Sequence, residues 1–397
     1  MKALFGLFSF IFFLTVNCVS QDSATYVFHI DKLPPEGILL DKGWKFQAGD
    51  NPDWAKPEFD DGDWQAIDPT KDIHELPQLQ KRIGWFRLKQ QIDSTILVQP
   101  LALIINQSGA SEIYLNGKLL HRFGTVSAHP DKIIAYDPVG KPVLLQYIKD
   151  GENTLAVRYA LQPNISYTYL MGRQNPALQA KILSLETAIN IYQREKTRFA
   201  GSIIFRIGYL LILFVLHLAF YFFYPAKKAN LYFSLFALSH LLRNLFHISE
   251  PHEVNSLFYF RNIILISGSI GTIFLFNALY IILNEKRRWV FWSIMTLMIV
   301  GALMHALQWN VAITGILGNL VYLEIFRLII KATLSKQRGA WIIAAGAISY
   351  IVFLALFLFG NTYEYMNEYV TTSFTYGDLF YNLATLVIPI TISIYLG

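Results

Sequence analysis

Two hydrophobic rhythms divide this sequence. Up to about residue 175 the apolar positions come in short β-rich runs, at 101–106, 112–115, 143–147 and 154–159. In the last of these Leu155, Val157 and Tyr159 alternate with Thr154, Ala156 and Arg158. Asn116-Gly117 and Asp150-Gly151 punctuate the runs, and Asn-Gly after an alternating run predicts a tight hairpin, since both central residues tolerate positive φ. Many short strands with regular turns predict a β-sandwich over 21–175. From Gly201 onward long apolar stretches recur, at 201–223, 231–248, 259–283, 289–308, 311–330, 340–359 and 379–396. At roughly 20 residues each they match a hydrocarbon core of ~30 Å, which predicts seven transmembrane helices over 201–397; the stretch 231–248 is the shortest and least apolar.

A further apolar run, 3–16, follows Lys2 and is too short to span a bilayer, but it suits the core of a signal peptide occupying 1–20. Cys18 and Ser20 are small residues at −3 and −1 for cleavage before Gln21. The lipoprotein alternative needs cleavage before Cys18 and fits Thr15 and Asn17 less well. Cys18 is the one cysteine, so the exported domain is expected to be held by its core and not by disulfides.

Of the 397 residues 54% are hydrophobic and 15% charged, against roughly 25% charged in soluble domains. That composition disfavours both a disordered chain and an ordinary cytosolic enzyme. Residues 1–200 hold 21 Lys+Arg and 21 Asp+Glu, leaving 12 and 7 for 201–397, so the net +5 lies wholly in the apolar half. Nucleic acid is therefore not an expected partner. Lys227, Lys228, Lys286, Arg287, Arg288, Lys331, Lys336 and Arg338 occupy alternate loops, with Glu250, Glu253, Glu364, Glu368 and Arg261 in the others. The positive-inside rule then puts the sandwich outside the cytoplasmic (inner) membrane and the C-terminus in the cytoplasm. Arg194, Lys196 and Arg198 run against it, which a cleaved signal tolerates. Trp289, Trp292, Trp309 and Trp341 fall at span ends, where they serve as interfacial anchors.

Polar residues inside the spans need partners. His240, Arg243, Asn244 and His247 follow an i, i+3, i+4, i+7 pattern on one face of the second span. Arg206 in the first span, His305 and Gln308 in the fourth, and Asp378 and Asn382 in the seventh lie at comparable depth, so the set can line a pocket open to the outside. Hydrogen-bonded helix contacts are the favoured reading, with ligand sensing the alternative. Glu324 and Arg327, three apart, are expected to form a structural ion pair.

Ordered motifs in the exported half carry a resemblance: GWKF at 43–46, FDDGDW at 59–64, GWFR at 84–87, IYLNGK at 113–118 and DGENTLAVR at 150–158. They resemble the galactose-binding-like jelly roll at the N-terminus of family-two glycoside hydrolases, a domain that is itself non-catalytic. No catalytic barrel follows here, so glycosidase activity is not expected. The resemblance implies a jelly-roll fold and a carbohydrate or other small-molecule ligand. Trp44, Trp64 and Trp85, as sugar-stacking aromatics, and Arg87 are the binding candidates; for each the core role is the stronger expectation. Arg87 and Arg158 are expected to cover aromatic faces or to pair with Asp60 or Asp61. His121 and His129 lack a ligand-spacing partner, so no metal is expected, and no motif calls for a cofactor.

Residues 176–200 read as a helical connector: Asn175 can cap it, Pro176 suits its first turn, and Leu178, Ile182, Leu185, Ile189 and Tyr192 recur at 4, 3, 4, 3 spacing. It either docks on the sandwich or continues into the first span. A jelly roll followed by seven spans, with FRIGYLLILFVLHLAFYFFYPAKKANLYFSLFAL at 205–238, resembles the bacterial seven-transmembrane receptors with diverse intracellular signalling modules. That resemblance implies a non-enzymatic sensor in the lipid bilayer that relays a ligand signal to a cytoplasmic output module, either beyond Gly397 or on a separate partner. A homodimer stays open. The alternatives are a transporter or membrane-embedded enzyme using the polar set, and a membrane-anchored glycan-binding protein.

Overall fold

The computed structural model describes residues 26–80, 83–147, 151–165, 175–307, 311–366 and 376–396. The signal segment 1–20 with Cys18, together with Asp150, Gln308, Trp309 and Glu368, lies outside them, as do the side chains of His305, Glu364 and Asp378.

Eleven strands form two sheets among these residues. The larger runs β4 (Gln65–Ala66), β3 (Lys45–Ala48), β5 (Ile83–Ile92), β10 (Glu152–Ala160), β7 (Ala110–Leu115) and β8 (Lys118–Phe123). On one edge of β5 its first half pairs antiparallel with β3 and its second half parallel with β1 (Val27–Ile30). The smaller sheet runs β2 (Ile38–Leu39), β11 (Leu178–Ser184), β6 (Leu101–Gln107) and β9 (Val143–Leu145). The alternation expected in 154–159 is realised: Leu155, Val157 and Tyr159 enter the core between the sheets with Phe86, Leu88, Ile113, Leu103 and Ile182. Asn116 and Gly117, at φ 50° and 77°, make the two-residue turn between β7 and β8. Positive φ at both positions is the type I′ geometry that suits twisted strands.

The connector differs from expectation. Residues 178–184 are not helical; they form β11, which pairs with β6 from Leu178↔Gln107 to Ser184↔Leu101. Leu178, Ala180 and Ile182 turn inward at a period of two, and the Leu178–Ile182 spacing of four fits both periods. Sheet pairing decides between them. The helix starts one residue past the strand: Ser184 caps α1 (Leu185–Phe223), its Oγ accepting from Thr187 N at 3.1 Å. At 1.5 Å per residue α1 is about 58 Å long, so one rod leads from β11 into the helical part. Its first turns also dock on the sandwich, Ala188 packing with Ala102 and Leu183.

Six more helices follow: α2 (Lys228–Ile248), α3 (Val254–Ile282), α4 (Trp289–Ala306), α5 (Val311–Leu334), α6 (Ala340–Met366) and α7 (Tyr376–Leu396). α2 packs between α1 and α3, and α7 packs against α6 and α1. Seven spans were expected, but by length and composition four helices qualify among the described residues: α1, α3, and the segments Ala340–Gly360 and Leu379–Leu396. α4 is apolar but short, and α2 is diluted by its polar stripe.

Sandwich and helices also meet away from the chain crossover. The loop after α2 adds a short β-bridge, Tyr136↔Glu253, flanked by Asp137 N donating to His252 O (2.9 Å) and Val254 N donating to Ala135 O (3.0 Å). Val254, the first residue of α3, is fully buried within the sandwich core.

Replacing Ser184 by Ala should weaken the strand-to-helix junction by about 1 kcal/mol. Amide exchange at Thr187 in the full chain, faster by roughly fivefold, is the measurement.

Candidate functional site

The motif residues converge on the outer face of the larger sheet, where segment 50–64 is folded down over β5, β10 and β7. Asn51 caps a 3-10 turn at Pro52–Ala55, and Asp60 Oδ1 accepts from Gly62 N at 3.0 Å, so the segment is a chain of local turns. Arg87 holds it down. Its side chain is fully buried; Nε donates to Asp61 Oδ2 at 2.9 Å, Nη1 to Lys56 O at 3.0 Å and to Trp54 O, and Nη2 to Phe59 O at 3.2 Å. Lys45 Nζ adds bonds to Asp61 Oδ1 (3.1 Å) and Asp61 O (2.9 Å). Burial pushes the Asp61 carboxyl up, but the hydrogen bonds and charges of Arg87 and Lys45 outweigh it and hold the group below the ordinary carboxylate value.

All four sandwich candidates are buried. Trp44 is buried in the main core, its Nε1 donating to Leu40 O at 2.7 Å and its ring edge-on to Phe86. Trp85 is buried against Tyr114, and Trp64 is 9% exposed between Trp54 and Phe59. Neither a ring face nor the Arg87 guanidinium is left for a sugar. For Trp64, Trp85 and Arg87 the reason is closure of the face by segment 50–64, since stacking needs an open ring face and the motif's own loop occupies it; Trp44 is enclosed in the core between the sheets. Trp54, Phe59 and Tyr114 are only partly buried in that cluster. Arg158 pairs with Asp50 at 2.6–2.7 Å and with Glu112 at 3.1 Å, not with Asp60 or Asp61. Glu112 also accepts from Arg122 (2.9 Å) and Tyr114 OH (2.9 Å). Burial and this carboxylate push the Tyr114 phenol up to about 12. Lys45, Trp54 and Glu112 are the members that sequence reasoning missed; they are far apart along the chain, and only strand pairing brings them together.

The polar set of the helical part does not form a single face. Asn244 turns toward α1, accepting from Arg206 Nε at 2.8 Å; Arg206 Nη1 also donates to Ser202 Oγ (2.8 Å) and Asn382 Oδ1 (2.7 Å), with its guanidinium over Tyr381. His240 and Arg243 instead turn toward α3, where a Cβ on Gly271 would lie 2.6 Å from the His240 ring and one on Gly268 3.4 Å from Arg243 Nη1. His247, near the helix end, faces Glu250 at 3.6 Å and the Phe199 ring. A stripe of about 100° on a helix clamped between two neighbours touches both, which divides the expected pocket. The hydrogen-bonded contact reading describes the α1–α2–α7 half. Glu324 and Arg327 pair at 2.7 Å as expected, with Tyr280 OH donating to Glu324 at 2.6 Å. A third group was missed: fully buried His217 links Asn230 (2.8 Å) and Ser393 (2.9 Å), tying α1, α2 and α7 together. Its only sequence signal was a lone histidine in an apolar span.

Replacing Arg87 by Leu leaves Asp61 buried with Lys45 alone and should cost about 3 kcal/mol of sandwich stability, read by urea unfolding of the full chain. The wild-type clamp should also be acid-labile. Its folded-state carboxyl lies below the unfolded value, so its stabilisation is complete above about pH 4. It is lost as the pH falls through the lowered value. The urea midpoint of wild type should drop more steeply across that window than that of Arg87→Leu.

No family model matches the chain, and no curated protein matches it. Solved structures that it resembles in part include β-glucuronidase 2 of Bacteroides uniformis, at 18% identity and TM-score 0.25 over 36% of this chain and 17% of that one. A family-two glycosyl hydrolase of Bacteroides cellulosilyticus gives 18% identity and TM-score 0.24 over 37% and 20%. The β-D-mannosidase of Dictyoglomus thermophilum gives 18% and 0.24 over 37% and 22%. The chain thus spans about a fifth of the length of these structures.

Proposed function

We propose that this chain is a non-enzymatic transmembrane receptor, in which a ligand on the sandwich shifts the population of two arrangements of a seven-helix bundle. All seven helices cross the cytoplasmic membrane in this reading. α2 crosses packed between α1 and α3, and α4 and α5 pack on each other beside α3; the sandwich stands outside, and the far end of the bundle addresses a cytoplasmic signalling module. The carrying observation is the double attachment. A sandwich that only displayed a binding surface would need one tether, whereas here β11 continues into α1 and Val254 of α3 is seated in the sandwich core. A change in strand spacing is thereby communicated to two helices at once, and differential affinity for the two arrangements supplies the signal. The ligand class suggested by the motif resemblance is carbohydrate.

A second reading, a transporter or membrane-embedded enzyme, draws on Arg243. Among the described residues it makes no hydrogen bond or ion pair, and it lies against Gly268 of α3.

The test is hydrogen exchange of the full chain in nanodiscs, screened against a panel of soluble glycans. A glycan that protects sandwich amides should also change exchange around 249–256 and in α1–α3. Tyr136 and Glu253 form a non-hydrogen-bonded antiparallel pair, whose close Cα spacing suits a disulfide. Tyr136→Cys with Glu253→Cys, oxidised, should retain glycan binding while suppressing the helix response. Glycan binding that leaves the helices unchanged in wild type would make the chain an anchored glycan-binding protein and sink the receptor reading.

A further inference from the structure

At the far end of the helical part, α5 presents an uncovered strip. Leu323, Phe326, Arg327, Ile330, Lys331 and Leu334, with Ser335 beyond, line an open groove of about 750 Å³. Their spacing of three and four places them on one helix face. The opposite face, with Val321, Leu328, Ile329 and Ala332, is buried in the bundle. Leu323, Ile330 and Leu334 are 57–77% exposed, so nothing among the described residues covers the strip.

The charges on it are polarised. Arg327 pairs with Glu324, and Lys331 with Glu285 at 2.6 Å, but the carboxylate side chains are 5% and 19% exposed while the cations are 50% and 54% exposed. The anions are turned inward and the cations outward. Glu324 takes Nε and Nη2 of Arg327, leaving Nη1 facing no carboxylate among the described residues. Together with the flanking segments 285–288 and 335–338, this end holds seven Lys+Arg against two carboxylates. Exposed cations beside apolar side chains at membrane depth call for an anionic partner with an apolar body.

We propose that this groove is a binding site for one anionic phospholipid. Its phosphate lies between Arg327 and Lys331, and an acyl chain runs along Ile330, Phe326 and Leu323 toward the membrane centre. Choice of occupant follows from charge complementarity and shape: the strip is one helix wide, cationic near the end and apolar inward, matching a headgroup above a chain. The proposal rests on the membrane-spanning part of the receptor reading and is independent of signalling.

Native mass spectrometry of the full chain, titrated with phosphatidylglycerol or phosphatidylcholine, tests it. One phosphatidylglycerol should be retained in preference to phosphatidylcholine. Removing the pair together, as Glu324→Gln with Arg327→Gln, avoids an unpaired buried carboxylate and should weaken retention about fivefold, as should Lys331→Gln alone. Lys331→Arg should restore it, and Lys336→Gln with Arg338→Gln should leave it within twofold. Three results overturn the site: equal retention of the two lipids, loss only in the Lys336/Arg338 variant, or a dimer that forms through this face and excludes lipid. Each of these leaves the glycan-coupled exchange result, and with it the receptor reading, untouched.

Discussion

The sandwich depends on one buried ion pair. Taking the Arg87 guanidinium and the Asp61 carboxylate out of water is costly, and the pair is tolerable because both carboxylate oxygens and four of the five guanidinium N–H groups are answered. Asp61 receives Arg87 and Lys45, while Arg87 reaches the carbonyls of Trp54, Lys56 and Phe59. That geometry specifies where segment 50–64 must lie, since sliding it by a residue would orphan several of these groups at once. The aromatic residues then fill the space beneath the segment, and the face becomes a second small core.

The same constraint decides which surfaces are left for recognition. With one face of the larger sheet covered by its own loop around Trp85 and the other packed on the smaller sheet, the aromatic surface left open lies at the rims, where Trp54 and Phe59 are only partly buried. The loop end at 135–137 is already occupied by 252–254. The sandwich is thus held at two points, at the β11–α1 junction and at the 135–137 loop end.

Within the helical part, polar groups act at different depths for different purposes. Arg206, Asn244, Ser202 and Asn382 join three helices near the sandwich, and His217, Asn230 and Ser393 join the same three further along. Such bonds fix helix register, which dispersion between apolar side chains specifies poorly. Toward α3 the glycines at 268 and 271 admit His240 and Arg243, so close approach of two helices shapes that side.

Sequence alone determined the two-part architecture, the alternation of β10, the Asn116-Gly117 turn and the Glu324–Arg327 pair, because each is set by period, length or near neighbours along the chain. It misread 178–184, where Leu178 and Ile182 satisfy strand and helix periods equally and only pairing with β6 breaks the tie. It also left Trp44, Trp64, Trp85 and Arg87 open between core and ligand, because a residue type reports what a side chain can do and not what covers it. Burial, the union of Lys45, Asp61 and Arg87, and the seating of Val254 in the sandwich were decided by tertiary structure. They join residues that lie tens to more than a hundred positions apart, and contacts of that range leave no period to read.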